Sequence, residues 1–99
     1  MYIKFDGFKV FCRSLSGQTL HTLSQGQPFT FQMYEGHEVK IYFTPMRTRT
    51  PRSVRQRYIE EYIGQFNING GSLRPVDYWR LINASYIVTL FKLYLNHLN

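Results

Sequence analysis

Cysteine, acidic residues and long apolar runs are all scarce in this sequence of 99 residues. Its one cysteine, Cys12, has no partner for an intramolecular disulfide, whereas small secreted domains are usually held together by several. The first residues contain no long apolar stretch, so no signal peptide is expected. The most apolar window, Leu81–Leu95, is shorter than the ~17–25 residues of a membrane-spanning helix and includes Lys92. We therefore predict a cytoplasmic protein with no membrane segment.

Residue clusters that carry catalysis or bind metal are also missing from the sequence. Glu35, His37 and Glu38 lie close together, but in a predicted turn, where they are typical of a polar surface rather than of a tight ligand set. Glu60 and Glu61 are adjacent on a predicted helix and point apart, which does not suit paired acid–base catalysis. The sequence therefore predicts a non-enzymatic protein with no catalytic residue, no metal and no cofactor.

The scarcity of acid leaves the chain strongly positive. Twelve lysines and arginines oppose six acids, which gives a net charge of +6 and an isoelectric point near 9.7. Charge of this size bears on partners rather than on fold, and it favours polyanions. It is also concentrated, because no acid lies between Glu38 and Glu60 while five arginines do. These are Arg47, Arg49, Arg52, Arg55 and Arg57, and we call Arg47–Arg57 the basic segment.

The first half of the chain alternates apolar and polar residues with a period of two, which is typical of half-buried strands. Ile3–Cys12 alternates on either side of Asp6-Gly7 and predicts a hairpin, or alternatively one long strand with a bulge at Gly7. Thr19–Leu23 predicts a short strand. The clearest hairpin joins two runs through Glu35–Glu38, and the buried side of its strands is expected to hold Phe29, Phe31, Met33, Val39, Ile41 and Phe43.

The second half changes to a helical period at Thr50-Pro51, since threonine suits an N-cap and proline suits the first helical position. The apolar stripe of this predicted helix is Val54, Tyr58, Tyr62 and Phe66, and Asn67–Gly71 ends it. A further helix covers Leu81–Leu95, either as a central core helix or as a dimer interface.

Strands followed by helices predict a single α+β domain over residues 1–99. Its antiparallel sheet has about four to five strands from the N-terminal half, and it packs against two to three C-terminal helices.

The basic segment is the candidate site because it places cations where a helix disfavours them. Helix N-termini carry partial positive charge and prefer acids, yet Arg52, Arg55 and Arg57 fall in the first two predicted turns. Guanidinium groups and free backbone N–H groups would together attract an anion. We expect the five arginines to bind a polyanion such as the DNA or RNA backbone, with the protein acting as a homodimer through helix 81–95.

Aromatic residues leave a second interpretation open. Tyr42 and Tyr58, where exposed, suit stacking on bases. Together with Tyr62 and Trp79 they also suit a pocket between helix and sheet, which would make the protein a small-molecule or protein-partner binding module. A third interpretation of the basic segment is a solvated surface whose arginines form ion pairs within the domain.

Two stretches of the sequence carry a resemblance to known proteins. They are Gly26–Phe31 (GQPFTF) and Ser72–Tyr78 (SLRPVDY), the latter followed by Asn83–Ile87 (NASYI), with Thr44-Pro45 and the basic segment between them. This order resembles small uncharacterised α+β proteins carried alone on bacterial mobile gene cassettes. The resemblance spans roughly residues 20–96, and it implies a free-standing bacterial domain without implying an activity.

Overall fold

The computed structural model describes residues 2–78 and 83–99. Within these ranges the elements are α1 (Phe5–Leu15), β1 (Thr19–His21), β2 (Pro28–Glu35), β3 (Val39–Pro45), β4 (Arg52–Arg55), α2 (Gln56–Ile68), a short 3₁₀ helix (Pro75–Tyr78) and α3 (Ala84–Leu98). One antiparallel sheet with helices packed against it confirms the predicted α+β class.

The sheet follows chain order, β1-β2-β3-β4, and every neighbouring pair is antiparallel. The hairpin predicted from the two alternating runs is confirmed as β2 and β3, with Phe31 directly opposite Phe43. The short strand predicted from Thr19 is confirmed as β1. The register therefore follows from the alternation, since a slip of one residue would turn the buried phenylalanine side chains outward.

The two faces of the sheet differ in how they are covered. One alternating set of side chains is buried and forms a single core with residues of all three α-helices; in the sheet this set comprises Leu20, Phe29, Phe31, Val39, Ile41, Phe43 and Val54. The opposite set is half-buried or exposed. We call the part of it on β2, β3 and β4 the outer face: Thr30, Gln32, Tyr34, Lys40, Tyr42, Thr44, Ser53 and Arg55.

The chain begins with a helix, so the hairpin predicted for Ile3–Cys12 is wrong. The buried residues of α1 are Phe8, Phe11 and Cys12, which are spaced three and four apart as on one face of a helix. Val10, which alternation would bury, is 57% exposed. The apolar residues of this stretch fit both periods, and local alternation alone does not separate them.

Tertiary packing explains why the helical period is adopted. Phe8 packs against Phe91 of α3 with ring centroids 5.3 Å apart, and Phe11 packs against Tyr94 at the same distance. Asp6 lies in the first turn of α1, where the helix dipole favours an acid. α1 thus covers the C-terminal half of α3. The predicted hairpin would add two strands to the edge of the sheet instead and would not cover this part of α3.

The helix predicted to start at Thr50-Pro51 begins instead at Gln56, and the residues before it form the edge strand β4. Val54 lies opposite Ile41 and is buried, so it belongs to the sheet. The side-chain carbonyl of Gln56 accepts a hydrogen bond from the backbone N–H of Val39 at 2.9 Å. This contact joins the start of α2 to β3.

The buried stripe of α2 consists of Ile59, Tyr62, Ile63 and Phe66. Tyr58, predicted to belong to it, is 40% exposed. The predicted end of the helix is confirmed, because α2 stops at Ile68 and Gly70 adopts a positive φ of 71°.

α3 runs through the interior of the domain. Ile87, Val88, Leu90 and Phe91 are each at most 1% exposed, and the chain's own sheet and helices cover them. Of the two interpretations of the apolar window, the described part of the helix fits a core helix; Leu81 and Ile82 lie outside the described residues. Among the helices described, none is long and apolar enough to cross a membrane.

Candidate functional site

The basic segment runs along the β4 edge of the sheet, from the β3–β4 connection to the start of α2. Arg47 and Arg49 lie in the connection between β3 and β4, Arg52 and Arg55 are the ends of β4, and Arg57 lies in the first turn of α2. All five side chains are exposed. The prediction that Arg52 and Arg55 lie in the first turns of a helix is therefore wrong. Arg55 is the N-cap residue of α2, so Arg55 and Arg57 are the arginines of the segment that lie near the positive end of the helix dipole.

Arg55 is the arginine of this segment that is paired with an acid. Its guanidinium donates to both carboxylate oxygens of Glu38, with the shorter distance 2.7 Å from Nε to Oε1. This hydrogen bond lowers the pKa of the Glu38 carboxyl below its ordinary value. Within residues 2–78 and 83–99, no acid forms an ion pair with the other four arginines.

Strand register assigns the two arginines of β4 to opposite faces. Arg52 lies opposite Phe43, on the core side, while Arg55 lies opposite Lys40 on the outer face. Because β4 is an edge strand, Arg52 reaches over the rim of the core. Its guanidinium carbon lies 5.8 Å from the ring centroid of Tyr86, which in turn stacks on Phe43 at 5.2 Å and 14°. Arg52 is thus held by a cation–π contact and still faces solvent.

A small cavity of about 160 Å³ opens beside this stack. Two arginines contribute to its walls, and its lining comprises Gln27, Pro28, Pro45, Arg47, Thr48, Arg52 and Tyr86. It lies between the sheet rim and α3. Among the described residues its aromatic lining is Tyr86, and Tyr42, Tyr58 and Tyr62 do not line it.

A wider groove of about 360 Å³ lies on the other side of the sheet, on the outer face. It is lined by Gln32, Tyr34, Tyr42, Thr44 and Pro51. The rings of Tyr34 and Tyr42 meet edge to face, with centroids 5.3 Å apart and an angle of 89°. The Lys40 ammonium lies 5.9 Å from the Tyr42 centroid.

The four aromatic residues predicted to line a pocket or to stack do not come together. Tyr42 lies in the outer groove, whereas Tyr58 is on α2 beneath the guanidinium of Arg57, 5.1 Å from its ring. Tyr62 is 1% exposed and packs against Tyr78 inside the core, where burial raises the pKa of its hydroxyl. Trp79 lies outside the described residues.

Sequence reasoning did not assign Tyr34 or Lys40 to a site. A signal for both was present, since the same alternation that buries Phe31 and Ile41 places Tyr34, Lys40 and Tyr42 together on the opposite face. The contact between Tyr86 and Arg52 gave no such signal, because it joins residues far apart in the chain.

In the part of the chain that the structure describes, no group of three or more histidine, cysteine, aspartate or glutamate residues is placed so that it could hold a metal ion. Comparison with known proteins gives no match: no family model, no curated protein and no solved structure is significantly similar to this chain, so the resemblance to mobile-cassette proteins stays a prediction.

Proposed function

We propose that this protein is a non-enzymatic binding protein whose basic segment takes the phosphate backbone of a polyanion such as DNA or RNA. The observation that carries the proposal is that four arginines of one short segment are exposed and have no acidic partner among the described residues: Arg47, Arg49, Arg52 and Arg57. Arg13, in contrast, is paired with Glu35 at 2.7 Å. Unpaired forks of donors suit phosphate oxygens.

The backbone of Arg49 supports the same proposal. Its φ of 59° is left-handed, a conformation that glycine and asparagine adopt more easily than other residues. Its N–H donates to the Pro45 carbonyl at 2.7 Å and closes the turn. An arginine at a position that suits glycine is a local conflict of the kind expected where the side chain has a function.

The homodimer and the cytoplasmic location stay predictions. With Ile87, Val88, Leu90 and Phe91 covered by the chain itself, a dimer through α3 would have to use its exposed end, Asn96–Asn99. Sedimentation equilibrium tests the first prediction. A single thiol, buried at Cys12, agrees with a reducing compartment without requiring one.

The test of polyanion binding is fluorescence anisotropy with duplex and single-stranded DNA and RNA at about 50 and 200 mM salt. Four phosphate contacts predict a slope of log affinity against log salt near −3.6 on duplex DNA, which is a fall of about 150-fold between those salts. In the double variant Arg49→Asn/Arg52→Gln we expect the slope to weaken by about 1.8. Asparagine tolerates the left-handed backbone at position 49, so the fold is kept.

The matched control is Arg74→Gln, which removes an exposed arginine outside the basic segment. We expect this variant to bind with the slope of the unaltered protein. Equal losses in the two variants would mean that net charge, rather than the basic segment, holds the polyanion. No binding at low salt would end the proposal.

A second candidate function rests on the cavity beside Tyr86. Its volume of about 160 Å³ is below the ~300–1,000 Å³ of typical ligand pockets, so it suits only a small anionic group such as phosphate or carboxylate. Orthophosphate added to the anisotropy assay distinguishes the two functions. If the cavity is the site, Arg52→Gln alone abolishes phosphate binding and Arg49→Asn leaves it intact.

A further inference from the structure

The outer face of the sheet has no covering layer among the described residues. All three α-helices contribute buried residues to the core on the other side. The outer residues of β2 and β3 remain half-buried or exposed, and Tyr34 is 59% exposed. Tyr34 and Tyr42 therefore present aromatic surface on a sheet face that the described helices leave open.

The two tyrosines of this face are arranged so that they do not stack on each other. Their rings are perpendicular, which leaves flat ring surface outside the contact between them. Tyrosine offers a broad apolar area while ordering only a few torsions on binding. Such rings take a planar ligand at little entropic cost.

Polar groups flank the rings within the same groove. The side-chain carbonyl of Gln32 accepts a hydrogen bond from the Ser16 hydroxyl at 3.3 Å. This contact leaves the amide N–H groups of Gln32 for other acceptors. The Thr44 hydroxyl lines the groove beside it. Donors next to an aromatic surface are what the edge of a nucleobase requires.

Charge on this face also has one sign. Glu35 and Glu38, the acids at the end of the hairpin, are each held by an arginine at 2.7 Å. The other acids lie on the helices: Asp6, Glu60, Glu61 and Asp77. Lys40 forms no ion pair with any described residue and lies next to the Tyr42 ring, although its charge also lowers the pKa of the Glu38 carboxyl. With Lys40 and Arg55 against Glu38, the net charge near the open face is positive, which suits an anion that carries planar groups.

We propose that the outer face binds the unpaired bases of a single-stranded nucleic acid, which stack on Tyr34 and Tyr42 while the basic segment, whose Pro51 lines the same groove, holds the backbone at the β4 edge. This inference rests on the proposed function and specifies its ligand. A duplex can meet the basic segment through its phosphates but cannot use the outer face, since its bases already stack on each other and present only their edges in the grooves. A single strand exposes the face of each base.

The experiment compares two short strands of equal length and charge, one of oligodeoxythymidylate and one in which every site is abasic. Stacking of one base on an aromatic side chain contributes about 5- to 150-fold in affinity. We expect Tyr34→Leu to weaken binding of the thymidylate strand by a factor in this range and to leave binding of the abasic strand unchanged. Tyr34→Phe keeps the ring and should keep the affinity.

The matched control is Tyr2→Leu, which removes a tyrosine that is 70% exposed and does not belong to the outer face. Tyr2 precedes Ile3, whose backbone N–H donates a hydrogen bond to Asn67 of α2. It should bind both strands normally. If Tyr34→Leu weakens binding of both strands equally, or of neither strand, base stacking on Tyr34 is overturned. The proposed function still holds in that case if binding of the strands depends on salt. If neither strand nor duplex binds to the unaltered protein, both proposals fail together.

Discussion

Cys12 is the most sheltered reactive group in the described chain. It is 2% exposed, and burial raises the pKa of its thiol above the ordinary value because the thiolate would lose its hydration. The thiolate is the reactive species. We expect Ellman's reagent to leave the native protein unlabelled at about pH 8 and to label Cys12 fully in guanidinium chloride. Rapid labelling without denaturant would show that α1 opens readily.

At the scale of single residues, the sequence indicated which side chains could bind an anion, but it did not indicate which other residues of the chain they contact. The five arginines could be identified as a group from composition and spacing alone. The pairing of Arg55 with Glu38 and the contact of Arg52 with Tyr86 could not. These contacts depend on strand register and on where α3 crosses the sheet, which no local pattern records.

Among the elements, the strands of the central hairpin could be predicted, while α1 and β4 could not. α1 failed because the apolar residues of 3–12 satisfy periods of 2 and 3.6 alike, and only packing on α3 decides between them. β4 failed because it has one apolar residue, Val54, in four. Charged side chains are common on short edge strands, since they prevent pairing with a second sheet. They do not alternate with apolar residues, so the pattern that identifies a strand is absent.

Gly7 makes the packing of α1 on α3 testable. A Cβ at this position would come within 2.5 Å of the Tyr94 hydroxyl oxygen. The Tyr94 ring has little freedom to move, because it is 8% exposed and packs against Phe8 and Phe11 at 5.7 and 5.3 Å. We therefore expect Gly7→Ala to destabilise the protein by a net ~1 kcal/mol. The close contact with Tyr94 outweighs the higher helix propensity of alanine, which alone would stabilise the helix by about 1 kcal/mol. Urea unfolding measures the change.

The control for this prediction is the same substitution in a Tyr94→Phe background. Without the hydroxyl, the nearest atom of the ring would be Cζ at 3.7 Å, an ordinary contact. Gly7→Ala should then stabilise the protein by up to ~1 kcal/mol through helix propensity. Equal effects in the two backgrounds would contradict the close approach of α1 to Tyr94.

For the molecule as a whole, burial is one-sided. The helices and the inner face of the sheet share the core, whereas Tyr34, Lys40 and Tyr42 lie on the side that they leave open, and the basic segment follows the β4 edge between the two sides. Three of the groups that ionise in alkali are therefore buried in this core: Cys12, Tyr62 and Tyr78. Burial raises the pKa of Tyr78 to about 12, with a smaller contribution from the charge of Asp77, and burial likewise raises the pKa of Tyr62 and of Cys12.

These raised pKa values set the direction in which stability depends on pH. Below about pH 7 the thiol and both phenols are protonated in the folded and in the unfolded chain, so they favour neither state. As the pH rises, the unfolded chain loses the thiol proton from about pH 8 and the phenol protons from about pH 9. The folded chain keeps these protons to higher pH, and stability falls. Each retained proton contributes a slope of up to about 1.4 kcal/mol per pH unit.

Tyr78→Phe separates this linkage from general damage. The variant loses the hydrogen bond that the Tyr78 hydroxyl donates to the Ser72 carbonyl at 2.7 Å, so it should be less stable than the unaltered protein at neutral pH. Between about pH 10 and 12, however, its stability should fall less steeply, because one of the retained protons is gone. Urea unfolding at a series of pH values measures both effects. Parallel curves would mean that Tyr78 ionises in the folded protein as it does in the unfolded chain, and that the layer between α2, the 3₁₀ helix and α3 is open to water.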